Sequence, residues 1–490
     1  MKRKPNLVYI LADDMGYGDV SALNPDAAFK TANFDAMADH GVVFTDAHAS
    51  SAVCTPSRYS ILTGRYNWRS GLKSGVIGGF SPPLIESGRA TVASLLKDQG
   101  YRTAAVGKWH LGMDFAKNPD FIELEGFAHS PGVDYRRPIQ NGPNAYGFDY
   151  FFGISASLDM PPYAYIENDR FTAVPDPGRV LGGEGKEFFR EGPLAPDFAH
   201  EQVLDVLTDR VLAKLEELRE EPFFLYFALP APHTPIFPAP AFRGKSGTNA
   251  YGDFVLHCDD VVGRVRNKLN ELGIRDNTLL IYTSDNGCSP MADFEELRAY
   301  GHNPSHVFRG MKADIYEGGH RVPLLMEWPE GMPKGESCDR LVCLGDLMAT
   351  LAELLEVRLA DNQGEDSVSI LPLMKNPEAD EVRRDLVHQS IDGSLSLRRG
   401  CYKLALCPGS GGWSNPRPGE ESPDAPAFQL FNLAEDVAEQ QNLLHQFPDM
   451  VQEMKQTLKN YLCRGRSTPG APQESRGEAI WQSISWAKQS

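Results

Sequence analysis

Apolar positions along the chain alternate between strand-like runs and helical periodicity. Asn6 to Ala12 is a continuous apolar run, as expected of a strand buried on both faces. It stops at Asp13-Asp14, and Met15 to Asp19 makes a loop. Residues 33–40 read as a short helix ended by Gly41, and Val42 to Thr45 as a strand. Thr91 to Gln99 predicts a helix closed by Gly100. The strand Tyr101 to Val106 follows and ends in Gly107-Lys108-Trp109-His110-Leu111-Gly112. Residues 113–200, rich in Gly, Pro and aromatics, read as long loops with little regular structure. Ala199 to Glu220 is an amphipathic helix that Pro222 stops. Phe223 to Leu229 is then a strand ending in Pro230-Ala231-Pro232-His233. Tyr251 to Leu272 predicts a helix, and Thr278 to Ser284 a strand ending in Asp285-Asn286-Gly287. Val322 to Met326 reads as a strand and Asp346 to Leu355 as a helix.

Helices between strands imply parallel crossovers. The expected class is α/β, with a large mixed, mostly parallel sheet between helices. After about residue 380 the alternation gives way to short strands at Ser396 to Arg398, Tyr402 to Leu406 and Gln429 to Leu433, then a helix near Asp449. The expected organisation is a large α/β domain over 1–380 and a smaller α+β domain with an antiparallel sheet over 381–490. The final stretch, roughly twenty polar residues, reads as an extension over the surface.

Composition narrows the partners. A chain of 490 residues is too long for one small core. Net charge is −18 with no long basic run, which makes nucleic acid and anionic membranes poor partners. Eight cysteines in this length do not form a disulfide framework. Cys338 with Cys343 and Cys401 with Cys407 are close enough to pair, but nothing requires it. No Cys-x-x-Cys spacing suggests a zinc ribbon. The start, Met1-Lys2-Arg3-Lys4, is basic, but the apolar run after it is too short for a signal peptide. No stretch is long enough to span a membrane. The expected compartment is the cytoplasm for the sequence as given, or the periplasm or exterior if a signal peptide has been removed.

Four of the predicted strands end in polar clusters: Asp13-Asp14, Lys108 with His110, His233, and Asp285-Asn286. Each cluster alone has a plainer reading as a turn, a cap, a core histidine or a shaped loop. Ligands bind outside the carboxyl ends of parallel strands, however, so these clusters converge if the strands are parallel. A fifth stretch, Cys54 to Arg65, reads as a helix start. Thr55 is the expected N-cap and Pro56 the first helical residue. Cys54 then precedes a helix N-terminus, which lowers a thiol pKa, with Arg58 near enough to aim at it. Asp13, Asp14, Asp285 and Asn286 are hard oxygen donors suited to Ca²⁺ or Mg²⁺. Lys108, Arg58 and Lys312 offer positive charge to an oxyanion, and His110 and His233 offer proton transfer. The combination suits transfer of a sulfuryl or phosphoryl group.

These residues resemble a known family. Cys54 to Arg65, with its Cys-x-Pro-x-Arg and Leu-Thr-Gly-Arg, resembles the sulfatase signature, and Gly107 to Gly112 resembles its second signature. Asp13-Asp14, the His233 loop, Ser284 to Gly287 and Arg309 to Lys312 match the remaining positions in order. The chain resembles type I, formylglycine-dependent sulfatases of the alkaline phosphatase superfamily, near the arylsulfatase A and N-acetylgalactosamine-6-sulfatase branch.

The resemblance implies that a maturation enzyme reading Cys54 to Arg58 oxidises Cys54 to formylglycine. The hydrated aldehyde would bind the metal and attack sulfur. The metal, Ca²⁺ ahead of Mg²⁺, would sit on Asp13, Asp14, Asp285, Asn286 and the modified Cys54. Lys108 and Lys312 would bind sulfate oxygens. His233 would protonate the leaving alcohol, His110 would take the proton that lets sulfate go, and Arg58 would hold the hydrate. Ser157 matches a substrate-side serine of the arylsulfatase A branch. His302 and His306 lie where subfamilies vary, either as substrate contacts or as surface residues. The expected substrate is a sulfated small molecule or glycan, because the aromatic loops suggest a wide pocket. Tyr146, Tyr163 and Tyr165 either stack on a sugar or hold those loops together. Two other readings stay open: a phosphonate monoester or phosphodiester hydrolase of the same superfamily, and a non-catalytic glycan- or metal-binding relative.

Overall fold

Leu7, Tyr9 and Leu11 pack into one apolar layer, and Val8, Ile10 and Ala12 into another. That alternation explains the unbroken apolar run, because the strand Asn6–Ala12 is covered on both faces. The structure is a computed structural model that describes residues 3–122, 126–127, 131–178 and 182–488. Helices Ala32–His40, Val203–Leu218 and Ala250–Glu271 cover one face of the sheet. Helices Cys54–Thr63, Val92–Asp98 and Leu347–Leu354 cover the other. No helix among the described residues is long and apolar enough to cross a membrane.

Among the described residues the sheet has ten strands. From one edge they run Glu336–Cys338, Val42–Phe44, Leu324–Glu327, Thr278–Ser284, Asn6–Ala12, Phe223–Ala228, Arg102–Lys108, Tyr150–Ile154, Ile166–Glu167 and Arg170–Phe171. Thr278–Ser284 through Tyr150–Ile154 are mutually parallel, and Leu324–Glu327 is antiparallel to both its neighbours. Register makes the parallel ends level. Ala12 pairs with Ser284, Leu11 and Gly107 both pair with Ala228, and Lys108 pairs with Ile154. The polar clusters that follow these strands therefore lie along one edge, as the parallel reading requires.

Residues 113–200 hold more structure than their composition suggests. Tyr150–Ile154 is a full member of the parallel sheet, too short and too interrupted by Gly153 to stand out by periodicity. In the small domain, Asp385–Gln389, Leu395–Arg399, Tyr402–Ala405 and Gln429–Asn432 form a four-stranded antiparallel sheet. Its first strand has no apolar alternation to announce it. Helix Pro448–Arg464 packs Val451, Met454 and Leu458 into that core. The terminal segment does not merely lie on the surface. Trp481, Ile484 and Trp486 are buried in the same core, and Trp481 lies 6.4 Å from Trp68 of the large domain.

A buried charge cluster also joins the two domains. His48 donates from Nε2 to Asp46 at 2.8 Å, and its Nδ1 lies 3.0 Å from Nδ1 of His320. From the small sheet, Lys403 bridges Glu317 at 3.0 Å and Glu439 at 2.9 Å, and Arg398 reaches Asp46 at 3.3 Å. His388 stacks on His320 with ring centres 3.7 Å apart.

Candidate active site

The parallel strands deliver their ends to a set of shaped loops. The N–H of Asp13 donates to Ala231 and that of Asp285 to Ala12, which locks three strand ends together. Asp14 is held in the left-handed region at φ 66°, and its N–H donates to Asp285 Oδ1 at 3.3 Å. Gly107 has φ 110°, and a Cβ there would lie 1.9 Å from the Ala228 carbonyl oxygen. That glycine lets the chain turn so that Lys108 and His110 follow.

The helix carrying Cys54 starts two residues earlier than its sequence implies. It spans Cys54–Thr63, with extended Val53 as N-cap and Thr55 inside the first turn. Pro56 still falls among the first turn's unpaired N–H positions, so it breaks no bond. Cys54 is therefore the first helical residue. Its thiol is not activated: burial pushes its pKa up, and Asp13 and Asp285 add to this against Lys108 and Lys312. The expectation of a lowered thiol pKa is thus reversed.

Arg58 points at the carboxylates. Its Nε donates to Asp285 Oδ2 at 2.9 Å, and its guanidinium lies 3.6 Å from Asp13. Lys108 Nζ meets Asp13 Oδ2 at 2.7 Å, and Lys312 Nζ meets Asp14 at 2.6 Å. The structure thus pairs three carboxylates with three cations. Burial raises the Asp13 carboxyl, but Lys108, His233, Arg58 and Lys312 reverse this and hold it well below the usual range. Burial pushes Asp285 up, with Asp13 adding to the shift and Arg58 opposing it. Burial lowers Lys312, yet Asp14 outweighs it and fixes the ammonium as charged.

The two histidines differ in tautomer. His110 stands at φ 55°, and its Nε2 bonds to the Ile77 carbonyl at 2.8 Å. Its Nδ1 is buried without a partner, and burial plus Lys108 holds the ring well below the ordinary pKa. His233 turns Nδ1 to the Thr234 carbonyl at 2.5 Å and presents Nε2 3.6 Å from Asp14. The side chains of His233 and Lys312 are 8% and 7% exposed, whereas those of Arg58, Lys108, Asp13 and Asp285 are at 0%. The site therefore opens on the His233 and Lys312 side.

The donor set fits a hard divalent cation. Donor atoms of Asp13, Cys54 and Asp285 lie within 4.8 Å of one another, as do those of Asp13, Asp14 and His233. Asp13 Oδ1 and Asn286 Oδ1 are buried with no hydrogen-bond partner among the described residues, a costly state that a cation relieves. The Asn286 amide NH₂ donates to Asp14 at 2.8 Å, which fixes its carbonyl oxygen as the remaining donor.

Other candidates fall elsewhere. His302 is fully buried, with Nε2 on Asp19 at 2.8 Å and its ring against Phe29. It supports the Asp19 loop and is not available to substrate. His306 packs on Tyr17 and Phe308. Ser157 lies two residues beyond Ser155, whose carbonyl accepts from the N–H of His110, and its buried hydroxyl has no partner. Tyr146 stacks on Trp109 and bonds Ile85, Tyr163 bonds Arg190, and Tyr165 stacks on Phe152. All three are buried and hold the loops together. The carbonyls of Ile77 and Thr234, which set the histidine tautomers, carried no sequence signal, since any residue supplies a carbonyl.

Comparison with known proteins is decisive at this point. The family model described as Sulfatase matches residues 5–357.

The chain belongs to the sulfatase family.

It is thus a sulfuric ester hydrolase of a family that works with a divalent metal and formylglycine. This sulfatase is 32% identical to the N-acetylgalactosamine-6-O-sulfatase of Bacteroides thetaiotaomicron, across 94% of each chain. It is 30% identical to arylsulfatase A of Bos taurus, across 93% of this chain and 86% of that one. A solved structure described under metabolism of multiple glycosaminoglycans by Bacteroides thetaiotaomicron superposes with TM-score 0.79 at 30% identity, covering 94% of this sulfatase and 99% of that chain.

Proposed function

We propose that the protein hydrolyses the sulfate ester of a sulfated carbohydrate, using Cys54 converted to formylglycine. The observation that carries this reading is the thiol itself. It is buried, and its sulfur lies within 4.8 Å of donor atoms of Asp13 and Asp285, so a residue formed from it stands at the metal-binding carboxylates, well placed as a precursor. Similarity to an N-acetylgalactosamine-6-O-sulfatase over nearly the whole chain supports a sugar sulfate as substrate. Every residue from Cys54 to Thr63 is buried, so the maturation enzyme acts on Cys54 to Arg58 before the chain folds.

Asp13, Asp14, Asp285 and Asn286 would hold Ca²⁺, with Mg²⁺ as the other hard-oxygen choice. When bound, the cation supplies charge to polarise the sulfuryl oxygens. Position 54, once converted and hydrated, would supply two hydroxyls: the oxygen of one would bond sulfur as the ester S–O bond breaks, and loss of the other's proton would cleave the C–O bond to sulfate and restore the aldehyde. Three carboxylates and three basic side chains cancel, so a divalent cation makes the site positive within a chain of net charge −18. That local charge attracts a sulfate monoester.

Lys108 and Lys312 bind its oxygens, and Arg58 orients the residue at position 54. His233 keeps Nδ1–H on Thr234 and gives the Nε2 proton to the leaving oxygen at the open side. His110 donates Nε2–H to Ile77 and so accepts a proton at Nδ1. Release of inorganic sulfate from a sulfated hexosamine, beside turnover of aryl phosphate and phosphonate esters, tests the reading. Sulfate release that Cys54→Ala abolishes supports it, and preferred turnover of phosphonates would sink it.

A further inference from the structure

The small domain reaches the site through the loop around Trp413, beside its segment 389–391, whose backbone bonds Ser50, Ala52 and Ala313. Asp314, two residues beyond Lys312, accepts hydrogen bonds from the N–H of Met311 at 2.9 Å, of Trp413 at 2.7 Å and of Ser414 at 3.0 Å, and from the Ser414 hydroxyl. Gly412 lies so close over Ala313 that a Cβ would stand 2.5 Å from the Ala313 carbonyl carbon. The N–H of Ile315 donates to Ser410 at 2.7 Å, and Arg417 holds the Trp413 carbonyl at 3.0 Å. On the other side, Ala313 is strained at φ 81°, and its N–H donates to Ala52, two residues before Cys54. The loop carrying Trp413, the segment carrying Lys312 and the helix carrying Cys54 are therefore one interlocked unit.

Trp413 keeps 37% of its surface exposed. A single exposed apolar side chain is ordinary on its own. What sets this one apart is its fixed place. Among the described large apolar side chains left exposed, it is the one whose N–H is bonded to Asp314, beside Lys312. Chain geometry puts its Cα at most about 15 Å from that of Lys312. A span of that order leaves room for one sugar ring between the two side chains. Lys312 is also on the open side of the site, where the alcohol half of the ester must lie.

We propose that Trp413 is a specificity-determining residue, the platform on which the pyranose ring bearing the sulfate stacks. This rests on the carbohydrate sulfatase reading and narrows it: the small domain completes the substrate site, and selection favours a saturated ring with an apolar C–H face. An indole suits that task, because it offers a large rigid apolar face with few rotamers to freeze.

The test compares kcat/KM for a sulfated hexosamine with kcat/KM for a small aryl sulfate in wild type, Trp413→Ala and Trp413→Phe. Trp413→Ala lowers the sugar-to-aryl ratio about tenfold, mostly through KM of the sugar, the size expected for one lost stacking contact. Trp413→Phe recovers most of the ratio. If both substrates fall together, Trp413 only holds the Lys312 segment and the proposal is wrong. It is equally wrong if the ratio does not move. A wild-type enzyme that cleaves the aryl ester but no sugar sulfate overturns the Trp413 role and leaves the sulfatase reading standing. Failure on both esters overturns that reading and the Trp413 role with it.

Discussion

Nε2 of His110 and the carbonyl oxygen of Ile77 lie 2.8 Å apart, so Nε2 carries the ring's hydrogen and Nδ1 keeps its lone pair. Burial and the charge of Lys108 depress this ring's pKa well below 6.5, which holds it neutral and ready to accept a proton. His110→Ala should lower kcat by about 10²–10⁴ with little change in KM. In wild type the acid limb of kcat that reports this ring should fall below pH 6.5. Steady-state kinetics across pH check both. An acid limb at or above that value, or a variant with wild-type kcat, contradicts the assignment.

Removing the divalent cation should abolish sulfate release and lower the melting temperature together. The unpartnered Asp13 and Asn286 oxygens and the close carboxylates lose their common counter-ion. A ligand at 100 times its Kd stabilises by about 2.7 kcal/mol. Calorimetry after chelation, with Ca²⁺ or Mg²⁺ added back, is the measurement. Both readouts should return with the cation in wild type, and the thermal gain should vanish in Asp13→Asn. Unchanged activity after complete chelation contradicts the metal assignment.

Much of this centre was legible because strand ends announce themselves. Asp13, Lys108, His233 and Asp285 each follow an apolar run, and register alone brings them to one edge. Other features were not legible. The start of the Cys54 helix shifted by two residues, because Val53 caps it through backbone geometry rather than a side-chain oxygen. His302 read equally as a substrate contact or a surface histidine, and only the fold shows it buried on Asp19. Tyr150–Ile154 and the buried tail tryptophans depend on contacts far along the chain, which local patterns do not encode.

The buried histidines between the domains should make the fold acid-sensitive. Burial lowers His48, His320 and His388 below 6.5, with Lys403, Arg321 and the neighbouring rings adding to it, while Asp46 and Glu317 pull the other way. As pH falls below 6.5, the unfolded chain takes up protons at three positions where the folded cluster resists them. Glu439 has the opposite sign. Burial raises it to about 7, so the folded state gains one proton there before the unfolded value of 4.5. Within this cluster three outweigh one, and its contribution to stability should drop on acidification. His388→Asn should melt below wild type at about pH 7.5, with the gap narrowing toward about pH 5. A gap that stays constant or widens contradicts this account.

The central claim is that Cys54 is a precursor and not the nucleophile. Mass spectrometry of the peptide containing Cys54, taken from active enzyme, tests it most directly. The account predicts formylglycine at position 54 in a fraction that rises and falls with specific activity. An intact thiol at position 54 in fully active enzyme would contradict it.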